Sequence, residues 1–296
     1  MTSTSTVPSI AVQLGEAPIG AEIVGADLSA PPADSVFADI RRAYDTHSVI
    51  YFRGQRLTPE TQVRFSRRFG ELEIHVLKHF LLEGYPEILV VSNIEENGRQ
   101  IGLADTGRTA VWHTDMSYLK MPSAGSALYA VEVPVDASGR VLGDTLFAST
   151  VAAYQALDAA MKKRLAGLKA IHHMTKGYDN DRGGDAARIR YSEVERVPDI
   201  AHPIIRTHLA TGRKCIYINK LCTTGIEGMA QDEADELLEF LYDHCTRPEF
   251  IYRHRWQAGD LLMWDNCTAQ HLAVPDYAPP LRRRMHRTTL RGSIPV

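Results

Sequence analysis

The chain has 296 residues, enough for one elaborated domain or two, and its 44% hydrophobic and 23% charged content is that of a soluble globular protein. A net charge of −3 offers no basic footprint for nucleic acid or a membrane surface, and no apolar run approaches the ~20 residues that span a bilayer. The polar start MTSTSTVPS is not a signal peptide, and four cysteines (Cys215, Cys222, Cys245, Cys267) without C-x-x-C spacing read as the free thiols of a cytoplasmic protein.

Residues 1–9 read as a flexible tail. The stretch 31–49 predicts a helix capped by Asp34 or Ser35, with Val36, Phe37, Ile40 and Tyr44 on its apolar face. A strand follows over 49–54, then a helix over 58–70 with Thr58 as cap, Pro59 in the first turn and Gly70 as stop. Strands rich in β-branched residues are predicted at 87–93 and 126–133, and one helix at 149–168. The polar, glycine-bearing segment 176–201 reads as a mobile loop or lid. Strands at 202–208 and 214–219 precede a helix at 230–245, whose early acidic residues suit the helix dipole. Strands at 249–256 and 260–266, joined by QAGD, read as a hairpin, and a last strand covers 284–292. Strands and helices do not alternate, which disfavours a doubly wound parallel sheet. A single, mainly β domain over 1–296, a jelly-roll barrel under a helical layer, fits better.

The stretch VWHTDMSY (111–118) raises a chemical question. On a strand, residues i and i+2 share a face, so His113 and Asp115 would present an imidazole and a carboxylate together. Alone the pair decides nothing. His271, in MWDNCTAQHLAVPDY, is the best candidate for a third ligand. Two histidines and a carboxylate form the facial triad that holds non-heme Fe(II) and leaves positions open. A 2-oxo acid on such an ion has a far carboxylate that calls for a bidentate cation. Arg287 is the first choice, Arg283 can assist from the same side at an even spacing, and Thr145 in GDTLF offers a hydroxyl.

Together W-H-T-D, G-D-T, W-D-N-x-x-x-Q-H and R-R-x-M-H-R-x-T resemble the taurine/2,4-dichlorophenoxyacetate dioxygenase family, Fe(II)- and 2-oxoglutarate-dependent enzymes with a double-stranded β-helix core. The likeness runs from IVGADLSAP (23–31) and VIYFRGQRLTPE (49–60) to the C-terminus. It implies His113, Asp115 and His271 as iron ligands, and Arg287 and Thr145 on 2-oxoglutarate with Arg283 in support. It implies O2 as oxidant, ascorbate as the reductant added in vitro, and a homodimer or homotetramer. Asp115 argues against the halogenating branch, where a small residue replaces the carboxylate. The implied reaction is hydroxylation of a small organic anion (a sulfonate, alkyl sulfate, or aryloxy or alkyl carboxylate), releasing succinate and CO2, with possible fragmentation of the product.

The segment FGELEIHVLKHF (69–80) is where this family contacts substrate, which points to His75 and Lys78, with Asn93 and Trp112 as further contacts. His75 matches a histidine of the taurine enzyme, whereas Lys78 matches a lysine of the phenoxyacetate enzyme, so the two patterns are mixed. His172, His173, His202, His208, His244 and His254 read as structural, and His286 should face away from Arg287. Three alternatives stay open: a hydroxylase of an amino-acid-like acid in secondary metabolism, a Zn-dependent hydrolase, and a barrel that only binds an anion.

Overall fold

The computed structural model describes residues 10–103, 110–174 and 197–296. The principal strands are β1 (Ala11–Leu14), β2 (Ala21–Val24), β3 (Val49–Phe52), β4 (Tyr85–Ser92), β5 (Gly125–Glu132), β6 (Thr145–Ser149), β7 (Ile251–His254), β8 (Leu261–Asp265), β9 (Ala269–Ala273) and β10 (Arg284–Leu290). They form two sheets, the larger ordered β1-β2-β3-β8-β5-β10-β4 and the smaller β7-β6-β9. Their apolar faces enclose the jelly-roll interior.

Alternation along the strands assigns the two faces of the large sheet. Leu262 and Trp264 of β8, Leu128 and Ala130 of β5 and Met285 of β10 pack inside the barrel with Phe147 and Trp256. Their neighbours Leu261, Met263 and Ala127 point the other way, against Ile40, Tyr44, Phe65 and Phe69 of the helical layer. Period two along each strand therefore builds both cores. Arg287 shares the parity of Met285 and so enters the barrel. On the opposite face, the backbone carbonyl of His286 accepts from Gln62, and the Thr288 hydroxyl bonds Ser66, both on the second helix.

That layer is α1 (Asp34–His47) and α2 (Pro59–Arg67). Thr58 caps α2 and forms a reciprocal capping box with Thr61. In α1 the N-cap is Ala33, with no side-chain cap; Asp34 lies inside the first turn, where it pairs with Arg68 at 2.6 Å. The predicted helix at 149–168 is two, α3 (Thr150–Ala156) and α4 (Ala159–Leu165). Asp158 breaks it, because its carboxylate accepts from Met161 N–H and caps a new helix. With α5 (Gln231–Cys245) these cover a three-stranded sheet of Lys169–His172, Ile200–Pro203 and Thr223–Ile226.

The QAGD connection is a turn but not a hairpin. Strand β7 pairs with β6 and β8 with β3 and β5, so the chain changes sheets between them. The turn is held by Gln257 N–H on Asp260 Oδ2 at 2.8 Å, and by Arg53 on the same carboxylate. Residues 1–9 and 176–196 of the predicted tail and lid lie outside the described residues; Ile200 and Ala201 belong to a strand.

One buried bond ties the helical layer to the strand behind the barrel interior. The Tyr44 hydroxyl of α1 donates to the Trp264 carbonyl at 3.0 Å, across the open space left by Gly125, where a Cβ would lie 2.1 Å from that oxygen of Tyr44. Tyr44→Phe is expected to cost about 1–2 kcal/mol by leaving a buried carbonyl short of a donor. Urea unfolding should show a lower midpoint with an unchanged slope.

Candidate metal centre

His113 does not lie on a strand. It makes a single antiparallel bridge to His271 of β9, donating its N–H to His271 O at 3.0 Å and accepting from His271 N–H at 2.8 Å. Directly opposed residues of an antiparallel pair project to one face, so this exchange alone sets both imidazoles together, with ring centroids 4.1 Å apart. On the far side of β9, Phe147 of β6 is in register with His271 and stacks on its ring.

Asp115 arrives by a turn. Thr114 donates its hydroxyl to the carbonyls of Asn266 and Ala269, both at 2.9 Å, and Met116 takes a left-handed φ of 55°. Asp115 Oδ1 then stands 4.0 Å from Nε2 of both His113 and His271. All three donors lie within 4.8 Å of one another, so a point equidistant from them is about 2.5 Å or less from each, within a few tenths of an ångström of ordinary metal–ligand distances. The cluster is buried, at 4% exposure for His113, 8% for Asp115 and 7% for His271.

Protonation suits a cation. His113 Nδ1 faces the Val111 carbonyl at 2.7 Å, which places the ring proton there and leaves the Nε2 lone pair for a metal. Burial, aided by the neighbouring His113, pushes His271 down to about 3, so its imidazole is neutral. Burial pushes the Asp115 carboxyl up, but the Arg287 guanidinium foremost, with the Ser126 hydroxyl, outweighs it and holds it well below the usual range. Arg287 Nη2 is 2.8 Å from Asp115 Oδ2, and Ser126 Oγ is 3.4 Å from the same atom. One carboxylate oxygen is thus tied to the protein while the other faces the histidines. Arg287 Nε is buried without a protein partner, as an anion subsite would leave it.

The two arginines part company. The register shift at Arg284 and Met285 falls on β5, where Val131 is the extra residue, while β10 runs unbroken against β4, so Arg283 and Arg287 keep one side but differ in what they reach. Arg283 instead lies beside Gly143, its Nε 3.5 Å from where a Cβ would be, two residues from Thr145. Thr145 Oγ1 accepts from Trp256 Nε1 at 3.0 Å, which orients that hydroxyl. Asn93 spends its amide on backbone, donating to Leu281 O and accepting from Arg283 N–H, each at 2.8 Å. It holds the approach to Arg283 rather than an open pocket. Lys78 is exposed on a short 3-10 turn, His75 is half-buried with Nδ1 accepting from Leu77 N–H at 3.2 Å, and Trp112 is half-buried.

Other histidines carry polar contacts in the body of the fold, such as His208 on Asp265 at 2.9 Å, His254 on Asp260 at 3.1 Å and His244 on Ala153 O at 2.8 Å. Ser126 and Trp256 are neighbours of the site that the motifs did not reveal. Ser126 shares the barrel-facing parity of Leu128, a signal available only once the strand's faces are known.

A family model, taurine catabolism dioxygenase TauD, TfdA family, matches residues 11–289. The chain belongs to this family. A pentalenolactone F synthase of Streptomyces arenae is 35% identical, over 92% of this chain and 91% of that one. An alpha-ketoglutarate-dependent 2,4-dichlorophenoxyacetate dioxygenase of Burkholderia sp. (strain RASC) is 36% identical, over 86% and 85%. A solved structure, a putative alpha-ketoglutarate-dependent taurine dioxygenase from Burkholderia xenovorans, superposes with a TM-score of 0.81 at 36% identity, covering 97% of this chain and 94% of that one. The protein is a 2-oxoglutarate-dependent dioxygenase using Fe(II) and O2, with the double-stranded β-helix fold of its family.

The Asp115–Arg287 pair makes a pH prediction. A carboxyl held low in the folded state adds stability above its unfolded value near pH 4, and that contribution fades as pH falls through the folded value. In metal-free protein, Arg287→Met should cost about 2–4 kcal/mol at pH 7, and the gap to wild type should narrow progressively as pH falls below about 4 toward the folded value. Thermal unfolding of both proteins from pH 7 to 3 checks this; a gap constant across that range contradicts it.

Proposed function

We propose that the enzyme hydroxylates a small organic anion, and that Arg287 receives the anion while Arg283 and Thr145 receive the far carboxylate of 2-oxoglutarate. The observation that carries this is the different surroundings of the two guanidiniums. Arg287 reaches the Asp115 carboxylate and keeps a buried Nε unused, whereas Arg283 lies by Gly143, two residues before Thr145 in the chain. This exchanges the roles expected of the two arginines from sequence.

His113 Nε2, His271 Nε2 and Asp115 Oδ1 hold the iron. When bound, Fe(II) supplies the activation of O2, coupled to conversion of 2-oxoglutarate to succinate and CO2. The chain's own residues bind, orient and exclude water. Trp264 packs 4.9 Å from the His271 ring, and Arg287 lies over the same indole, so both imidazole and guanidinium have a fixed support. The strand Leu72–Glu73 pairs with Thr289–Leu290, so the segment carrying His75 and Lys78 leaves the sheet two residues beyond Arg287. Its charged and imidazole groups supplement Arg287 at the anion, and Trp112 lines the same approach. The relatives' names support aryloxycarboxylates first. The equal likeness to a pentalenolactone F synthase supports a second reading, oxidation of an acid in secondary metabolism.

Four buried cysteines, none in a disulfide, fit a reducing compartment such as the cytoplasm, and no helix among the described residues is long and apolar enough to cross a membrane. The outer strand β1, with Val12 and Leu14 exposed on an open edge, is a surface for a second copy in a homodimer or homotetramer.

Succinate release tests the whole reading, with Fe(II), ascorbate, O2 and a panel of phenoxyacetates, alkyl sulfates, alkylsulfonates, taurine and amino acids. Release should depend on one class of anion and vanish in His113→Ala. Arg283→Ala should raise KM for 2-oxoglutarate about 10–100-fold, and Arg287→Ala that for the substrate by a similar factor, the loss of a charged hydrogen-bonded contact. The opposite pattern would return Arg287 to the co-substrate.

A further inference from the structure

Asn266, in the W-D-N run between β8 and β9, is wholly buried, and its side chain bonds the Asp115 backbone, Trp264 and Ser123 rather than the metal-facing donor atoms. Its side-chain carbonyl nonetheless accepts two bonds, from the Asp115 backbone N–H at 3.3 Å and from Trp264 Nε1 at 3.0 Å. Its amide nitrogen donates to Ser123 Oγ at 2.7 Å. The two N–H donors decide which way the amide faces, since a flipped group would set donor against donor. Both lone pairs of a single oxygen are then committed to elements that carry the metal site.

Each bond reaches a different ligand. The Asp115 N–H belongs to the turn that brings its carboxylate toward the histidines. The Trp264 indole packs on the His271 ring at 4.9 Å and beneath the Arg287 guanidinium at 5.7 Å. Resting on the metal reading above, we propose that Asn266 is a positioning residue that fixes the Asp115 turn and the Trp264 indole to one point, and so sets carboxylate, imidazole and guanidinium in mutual register. Thr114 offers the internal comparison. It joins the same two chain segments through its hydroxyl and is equally buried, but its two bonds go to backbone carbonyls and not to the indole.

The test is Mn(II) binding to metal-free protein by calorimetry, with thermal unfolding of each metal-free variant alongside. Wild type should bind one equivalent and His113→Ala none; failure here overturns the reading of the metal site itself. Asn266→Ala should weaken Mn(II) about 10–100-fold, the usual cost of losing a group that orients a metal ligand. Asn266→Asp keeps both acceptor positions, with the Ser123 hydroxyl free to turn and donate, and should bind within about fivefold of wild type. Thr114→Val should lower the unfolding temperature yet bind Mn(II) within about threefold.

If Asn266→Ala binds as wild type, the inference fails while the metal site stands. If Thr114→Val loses as much affinity as Asn266→Ala, stability of the turn alone governs binding and the assignment also falls. Should Asn266→Ala not fold, the comparison of Asn266→Asp with Thr114→Val decides: retention of affinity by both supports the proposal, and loss in Asn266→Asp overturns it.

Discussion

The whole site hangs from one pair of backbone hydrogen bonds, the reciprocal exchange between His113 and His271. A single bridged residue does what a full strand was expected to do, because opposition across an antiparallel pair already fixes which face each side chain takes. A slip by one residue would turn one imidazole away from the other and leave Asp115 without a partner on its side. Two bonds worth about 1 kcal/mol each cannot hold that register by themselves. The bond from the Asp115 N–H to the Asn266 side chain is therefore as informative as the ligands themselves.

The same economy recurs one turn further along. Asp265 closes the corner between β8 and β9, accepting from the N–H groups of Cys267 and Thr268 at 2.6 and 3.1 Å, and meets His208 with its second oxygen. Burial pushes the Asp265 carboxyl up, but His208, the Cys267 N–H and Arg206 together hold it low. An ionised carboxylate at a sharp turn satisfies backbone donors that a two-strand corner would otherwise bury unpaired. The W-D-N run is thus a structural sentence: tryptophan under the imidazole, aspartate in the corner, asparagine on the neighbouring loop.

Sequence showed the inventory of this site better than its geometry. His113, Asp115 and His271 do converge, and the adjacency of His286 and Arg287 places them on opposite faces as alternation requires. The even spacing of Arg283 and Arg287 keeps them on one side, since β10 runs against β4 without a break, but a shared side does not give a shared target. The break at Asp158 was hidden because alanine on both sides, with methionine and lysine after it, favours helix, and only the capping geometry ends one helix and starts another. For the hairpin at 249–266, a four-residue turn looks the same whether it returns to its own sheet or crosses to the facing one. Asn93 illustrates a different limit: an amide near a pocket has the same letter whether it meets a ligand or pins a backbone, and here both its ends are on backbone.

Charge gives the firmest route from this geometry to the kind of molecule the enzyme takes. Within the metal cluster Asp115 is the only acid, and Arg287 already neutralises it. A divalent ion held by that trio adds two positive charges in a buried place, and Arg283, at 5% exposure, adds a third. Uncompensated charge in such surroundings is costly, so the site favours incoming anions. A chelating dicarboxylate such as 2-oxoglutarate cancels two of the three. The remaining one is met most economically by a substrate that carries a single negative group, with the unused Arg287 Nε as its donor. A neutral substrate would leave that balance open, and an amino acid with its ammonium group would meet Arg287 with repulsion at one end. On this argument an aryloxycarboxylate, alkyl sulfate or sulfonate fits the interior of this barrel better than a zwitterion does.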